Sequence, residues 1–233
     1  MQIGSRLETI GRLVTAGSVV ADIGTDHAYL PVWLIEQGCI QKAIAGDIAQ
    51  GPCQAARSTI AQHGLQQQVE VRMGSGLSVV QPGEASCITI AGMGASTMIA
   101  ILEADMSVAE AAEALILQPM AGAASLRKWL CTHGWELVDE ELVDDAPHFY
   151  EIMAARRGVS REYSEAEYAV GPVLLAKQHA LLTKQLERQL STTRQLLENM
   201  GRSERAKESS KYKELQKLQA ALEVLADEYG NRR

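Results

Sequence analysis

The residues best suited to chemistry stand at the end of an apolar run. Val19-Val20-Ala21 leads into Asp22-Ile23-Gly24-Thr25-Asp26-His27, and a helical pattern starts at once. A strand that ends in a glycine turn before a helix is a natural ligand corner. The glycine admits close backbone approach, and the free N–H groups of the helix start attract polar atoms. Of the glycines in a dinucleotide fingerprint spaced GxGxxG only Gly24 is present, and Asp26 stands where the second would be. A pyrophosphate would meet that carboxylate head on. A ligand with an ammonium group, a cationic sulfur and no phosphate would be drawn to it instead, which favours S-adenosylmethionine over NAD.

Three further loops repeat the pattern. Ala45-Gly46-Asp47-Ile48 puts a carboxylate about 20 residues past the first glycine, where ribose hydroxyls are bound in doubly wound folds. Asp47 is also a good helix N-cap, but beside the first corner the ribose role is favoured. Gly74-Ser75-Gly76 follows the alternating segment Val69-Glu70-Val71-Arg72-Met73 and suits the flat face of adenine. Ala91-Gly92-Met93-Gly94 follows a fourth segment, where the methyl-accepting atom would lie. Any one of these is an ordinary turn; four at successive strand ends make a binding edge.

The elements needed to align these loops are legible in the pattern. Strands are expected at 19–23, 43–48, 69–73, 87–91 and 115–117, with helices at 27–37, 52–62, about 98–102 and 125–133. Trp135 to Val143 and Phe149 to Ala154 are joined too briefly for a crossover helix, so they should form a hairpin with one antiparallel strand. The alternation predicts an α/β fold, a mostly parallel sheet covered on both faces. Beyond Gly158 the pattern changes. Leucines at 174, 175, 181, 182, 186, 190, 196 and 197 fall at helical spacing, and Tyr212, Leu215, Leu218, Leu222, Leu225 and Tyr229 step by three and four. Two domains are therefore expected, 1–158 and 159–233, the second an antiparallel coiled-coil hairpin broken near Gly201 and Ser203.

Composition narrows the class. The charged fraction is 22% and the hydrophobic fraction 46%, as in ordinary globular proteins. Met1 to Ile10 lacks the basic start and apolar run of a secretory signal, and no apolar run approaches the ~20 residues that span a bilayer, so a cytoplasmic protein is expected. Cys39, Cys53, Cys87 and Cys131 form no CxxC pair, which argues against a metal site or a disulfide framework. The net charge of −7 is uneven: 9 Lys and Arg oppose 18 Asp and Glu up to Gly158, and 13 oppose 11 from Val159 on. If nucleic acid binds, the C-terminal part helps hold it.

Asp22-Ile23-Gly24-Thr25-Asp26-His27-Ala28-Tyr29-Leu30-Pro31, Ala91-Gly92-Met93-Gly94, Gln118-Pro119 and Phe149-Tyr150-Glu151 together resemble the bacterial tRNA (adenine-N1)-methyltransferases that modify position 22. The resemblance runs over essentially the whole chain. It implies a Rossmann-like class I methyltransferase domain with a seven-stranded sheet, S-adenosylmethionine as donor, and a D-arm adenine of tRNA as acceptor. It carries Asp22, Gly24, Asp26 and His27 onto the donor pocket, with Asp47 as ribose partner; Thr25, Ile48 and Met93 fall within the same loops. Ser75 departs from the wider pattern, in which an acidic residue meets the adenine amine. The loop after the fourth strand also lacks the Asp/Asn-Pro-Pro-aromatic sequence of amino-group methylases, which agrees with a ring-nitrogen target.

A direct displacement governed by orientation is then expected, with no covalent intermediate. The acceptor base must leave its stack. Tyr29 or Tyr150 could stack on it, Asp26 or His27 could hold its amine edge, and Gly94 borders its place. Phosphate contacts are expected from Arg127, Lys128, Arg156, Arg157, Arg161, Arg202, Arg205, Lys207, Lys211, Lys213 and Lys217. The partner would be tRNA, with no membrane and no metal, and the protein a monomer or weak dimer. The same donor pocket would also serve a methyltransferase acting on another RNA position, a small molecule or a protein. A coiled-coil adaptor would explain the C-terminal helices but not the four loops.

Overall fold

The structure, a computed structural model, describes residues 1–230. The chain divides into two units, Met1–Arg161 and a second beginning at Glu162.

The first unit opens with helix α1 (Ser5–Leu13) and continues as β1 (Val19–Ile23), α2 (Tyr29–Glu36), β2 (Lys42–Asp47), α3 (Gln50–Gln62) and β3 (Val69–Met73). A 3-10 turn at Gly76–Val79 precedes β4 (Cys87–Gly94), α4 (Ala95–Ala104), α5 (Met106–Ala111), β5 (Ala114–Ala121), α6 (Ala123–Thr132), β6 (Trp135–Asp145) and β7 (His148–Arg157). The strands form one seven-stranded sheet in the order β3-β2-β1-β4-β5-β7-β6. β1 to β5 run parallel, and β7 is antiparallel to both β5 and β6, as the short final connection requires. β1 pairs with β2 on one side and β4 on the other, so the strand order reverses there. Ligands of open α/β sheets bind beyond the carboxyl ends of the strands at such a point.

Two local differences from the sequence pattern bear on the site. Helix α2 starts at Tyr29 rather than His27, because the Ala28 N–H donates to Thr25 Oγ1 (3.2 Å) and Ala28 is left-handed at φ +54. The polar residues before it are thereby held as a loop. Helix α1, which strand–helix alternation does not demand, buries Ile10 and packs Leu7 and Leu13 on the core.

The second unit holds α7 (Glu165–Val170), α8 (Pro172–Ala176), α9 (Leu182–Gly201), α10 (Glu204–Lys207) and α11 (Ser210–Gly230). Ser164 and Glu167 close a capping box at the start of α7. The leucine run is therefore not one helix: Leu174 and Leu175 belong to α8, and Gln178 at φ +50 turns the chain before α9. α9 does end at Gly201, and Ser203 caps α10 by accepting from the Ala206 N–H. α9 and α11 run antiparallel. Arg194 pairs with Glu223 at 3.1 Å, and the Tyr212 hydroxyl lies 3.8 Å from where a Cβ on Gly201 would stand. Leu186, Leu190, Leu197 and Leu222 are buried.

Candidate active site

Asp22, next to last in β1, has its side chain buried, and Thr89 of β4 donates to its Oδ1 at 2.7 Å. Burial pushes its carboxyl above the usual carboxylate range, against the hydroxyls of Thr89 and Thr25 and the charge of Arg6. Gly24 follows at φ +76, and a Cβ there would collide with Met93 Cε, so glycine lets the β1 and β4 loops meet. The N–H groups of Gly24 and Thr25 both donate to the Gly46 carbonyl (2.8 and 3.0 Å). These two are thus committed to β2.

Beyond them the loop turns outward. Asp26 is exposed, with Oδ2 3.5 Å from His27 Nε2. The His27 ring stacks on Tyr29 with centroids 4.9 Å apart and planes 8° from parallel. Asp22, Gly24, Thr25, Asp26, His27, Tyr29, Ala91 and Gly92 line one cleft of about 410 Å³, together with Arg6 and Leu7 from α1. Residues from three separate stretches of sequence therefore meet at the switch point.

The neighbouring loops continue the edge. Asp47 Oδ1 accepts from the Ala49 N–H at 2.7 Å, which fixes the start of α3, while Oδ2 has no partner among the described residues. The capping and ribose roles are thus compatible in one carboxylate. Met73 lies beside Asp47 in register, and the Gly74 N–H donates to the Asp47 carbonyl at 3.0 Å. Ile48 and Met73 are 70% and 62% exposed, two apolar side chains flanking that carboxylate. Gly76 is left-handed at φ +55, and Ser75 is exposed beside it. These residues fit S-adenosylmethionine: Asp22 and Asp26 would suit its cationic end, the open Asp47 oxygen its ribose and the apolar Ile48 and Met73 its base. No phosphate cradle is needed.

Arg6 and Gln118, which the sequence did not single out as ligand contacts, stand beside Tyr150, which it did. Gln118, at the carboxyl end of β5 and fully buried, accepts from Arg6 Nη1 at 2.7 Å. The Arg6 guanidinium lies 5.5 Å from the centroid of the half-buried Tyr150 ring. Gly94 caps α4 next to Met93. Gln118 carried a signal, a polar residue closing the apolar run Leu115-Ile116-Leu117. Arg6 carried none, because α1 itself was not expected.

The basic residues are scattered. Arg127 is fully buried and pairs with Glu140 at 2.6 Å and Glu151 at 2.8 Å. Burial opposes its charge, but the two carboxylates outweigh burial and hold its pKa up. It is an interior ion pair and not a phosphate contact, because α6 turns Leu126, Arg127 and Leu130 inward and leaves Lys128 exposed. Arg156 and Arg157 occupy the opposite edge of the sheet: Arg156 faces Ala114 at the start of β5, and Arg157 packs 5.0 Å over Trp135 and pairs with Glu110 at 3.7 Å. At about 3.3 Å per residue along β7 they lie roughly 20 Å from Tyr150. Arg205 and Lys207 belong to α10, with Lys207 paired to Glu204 at 2.6 Å. Among the described residues no group of His, Cys, Asp and Glu could hold a metal ion, and no helix is long and apolar enough to cross a membrane.

Known proteins share this architecture. Residues 3–153 match a methyltransferase domain family. The tRNA (adenine(22)-N(1))-methyltransferase of Bacillus subtilis is 34% identical over 97% of this chain and 97% of its own. Streptococcus pneumoniae Sp1610, solved in complex with S-adenosyl-L-methionine, is 32% identical with a TM-score of 0.85, covering 97% of this chain and 100% of that one. TrmK of M. capricolum, solved with S-adenosyl-homocysteine, is 26% identical with a TM-score of 0.82 over 97% of this chain and 99% of its own. The sheet order, the crevice between β1 and β4 and this end-to-end similarity agree: the chain belongs to the tRNA (adenine(22)-N1)-methyltransferase family.

Proposed function

We propose that this chain transfers the methyl group of S-adenosylmethionine to N1 of adenine 22 in the D-arm of tRNA. The observation that carries the reading is the Asp22-Gly24-Asp26 corner facing Gly92 across the switch point, in a chain that follows a position-22 enzyme from end to end. When bound, S-adenosylmethionine supplies an electrophilic methyl on a cationic sulfur. Asp22, Thr25, Asp26 and His27 surround the methionine end, and Gly24 admits it to the backbone. Asp47 accepts from the ribose hydroxyls through the oxygen that Ala49 leaves free. Ile48, Met73 and the Gly74-Ser75-Gly76 loop flank the donor's adenine, with no carboxylate for its amine at Ser75. Ala91, Gly92 and Met93 border the reacting methyl.

Adenine N1 carries an in-plane lone pair at neutral pH, so the protein must align it and need not remove a proton. Orientation supplies most of the acceleration. Taking the base out of its stem costs a few kcal/mol, which stacking on Tyr150 or on the His27–Tyr29 ledge offsets, with Gly94 leaving room beside it. Asp26 or His27 holds the base's amine edge. Lys128, Arg205 and Lys207 meet phosphates, and the enzyme works in the cytoplasm as a monomer or weak dimer.

The test is transfer of radiolabelled methyl to unmodified tRNA, followed by mapping of the nucleoside. N1-methyladenine at position 22, lost in Asp26→Ala, is the expected result. Label at another position, or only in a protein or small molecule, would overturn the acceptor while leaving the donor.

A further inference from the structure

The aromatic surface at Tyr150 extends further than one acceptor base needs. β7 pairs with β5 only from Met153 to Arg156, so residues 148–152 are held by β6 alone, as a two-stranded ribbon. At about 3.3 Å per residue the ribbon runs roughly 16 Å past its last β5 pair, on the carboxyl-edge side of the sheet. His148 and Tyr150, two residues apart, share the strand face that carries Ile152 and Ala154 into the core. Their rings lie 5.7 Å apart, tilted by 36°. Helix α1 steadies the ribbon: Ser5 Oγ donates to Asp145 Oδ2 at 3.1 Å, and the Arg6 guanidinium lies 5.5 Å from the Tyr150 centroid. Tyr150 is half-buried by this packing. His148 is exposed, and its ring makes no hydrogen bond among the described residues.

Resting on the acceptor reading above, we infer that His148 is a stacking platform for the nucleobase next to adenine 22 in the tRNA strand. A base that leaves its stem takes a stacking partner from each neighbour. Successive aromatic side chains receive successive bases in single-strand sites, and each ring accepts any base through its π-face. The spacing of 5.7 Å exceeds the 3.4 Å of stacked nucleotides, so the two rings suit bases already drawn apart. A phosphate is the other group an exposed histidine takes. Here Asp145 faces His148 across the ribbon and Asp144 faces Phe149, and their charge disfavours a phosphate. An uncharged base face meets no such penalty. Arg6 lines the cleft together with Tyr29 and packs on Tyr150, so the ribbon adjoins the place where the methyl is transferred.

Methylation kinetics on the full chain test this with His148→Ala, His148→Phe and His148→Lys. The substrates are unmodified tRNA and two tRNAs that lack the base at position 21 or at position 23. His148→Ala should lower kcat/KM for intact tRNA by roughly 5- to 100-fold, the worth of one base–aromatic stack, with S-adenosylhomocysteine affinity unchanged. His148→Phe should restore the rate and His148→Lys should not. On one of the two abasic tRNAs the penalty of His148→Ala should vanish, because the base it stacks on is gone. Rescue by lysine and not by phenylalanine overturns the inference and assigns His148 to a phosphate. An unchanged rate in His148→Ala also overturns it, as does a penalty that persists in full on both abasic tRNAs. A wild type that leaves adenine 22 of intact tRNA unmethylated would instead overturn the acceptor reading itself.

Discussion

Asp22 shows how a single residue trades stability for binding. Burial raises its pKa in the folded protein, so the folded state resists ionisation and the carboxylate costs stability at neutral pH. The sign follows from that direction. Its stabilising contribution is complete below the ordinary carboxylate pKa and is lost as pH rises through the higher folded value. Asp22→Asn keeps an oxygen for the Thr89 hydroxyl and removes the charge. It should therefore melt at a higher temperature than the wild type at pH 7, with the gain shrinking towards acid pH. S-adenosylhomocysteine affinity should meanwhile fall roughly 10- to 100-fold, the worth of a charged hydrogen bond. Melting curves across pH, paired with calorimetry, check both signs. Gly24 is constrained differently. At φ +76 with Met93 against it, Gly24→Ala should cost about 1–3 kcal/mol in denaturant unfolding, since alanine resists left-handed backbone. It should also weaken donor binding by pushing the β1 and β4 loops apart.

Elements set which of these residues sequence could reveal. The strand ends were legible because the apolar runs of β1 and β2 stop at Asp22 and Asp47, the apolar run of β4 gives way to Gly92-Met93-Gly94, and the alternation of β3 ends at Gly74-Ser75-Gly76. Four loops at one edge follow from that alone. Helix α1 was not legible: nine residues with one arginine aimed inward look like any amphipathic start, and only tertiary packing brings Arg6 to Gln118. α6 misled for a related reason. Arg127-Lys128 reads as a surface pair, yet adjacent helical residues point about 100° apart, so one of them could face the interior. There it meets Glu140 of β6 and Glu151 of β7, and ties α6 to the hairpin that carries Tyr150. Arg127→Met would strand two buried carboxylates and should destabilise the protein by about 3–5 kcal/mol. Urea unfolding checks this. A phosphate contact would instead leave the midpoint unchanged and weaken only tRNA binding.

The two units carry different charge in proportion to their size, and that difference bears on how a polyanion is held. Up to Arg161 acids outnumber bases 18 against 10, around a cleft that itself displays Asp22 and Asp26. Such a unit suits a cationic donor and repels a phosphate backbone. From Glu162 on bases and acids nearly balance, 12 against 11, with Arg202, Arg205, Lys207, Lys211, Lys213 and Lys217 gathered between the middle of the unit and its last helix. Phosphate contacts dominate nucleic-acid affinity, so the second unit should supply much of the hold on tRNA although it lacks the donor-binding loops. A chain ended after Arg161 retains the whole seven-stranded sheet and every residue of the cleft. It should bind S-adenosylhomocysteine within a few-fold of the full chain and lose tRNA methylation. In the full chain, Arg205→Glu with Lys207→Glu should raise KM for tRNA and flatten its salt dependence, with kcat at saturating tRNA little changed, because each lost phosphate contact removes roughly one released counterion. Full tRNA turnover by the shortened chain would show that the first unit grips the RNA alone, against its own charge.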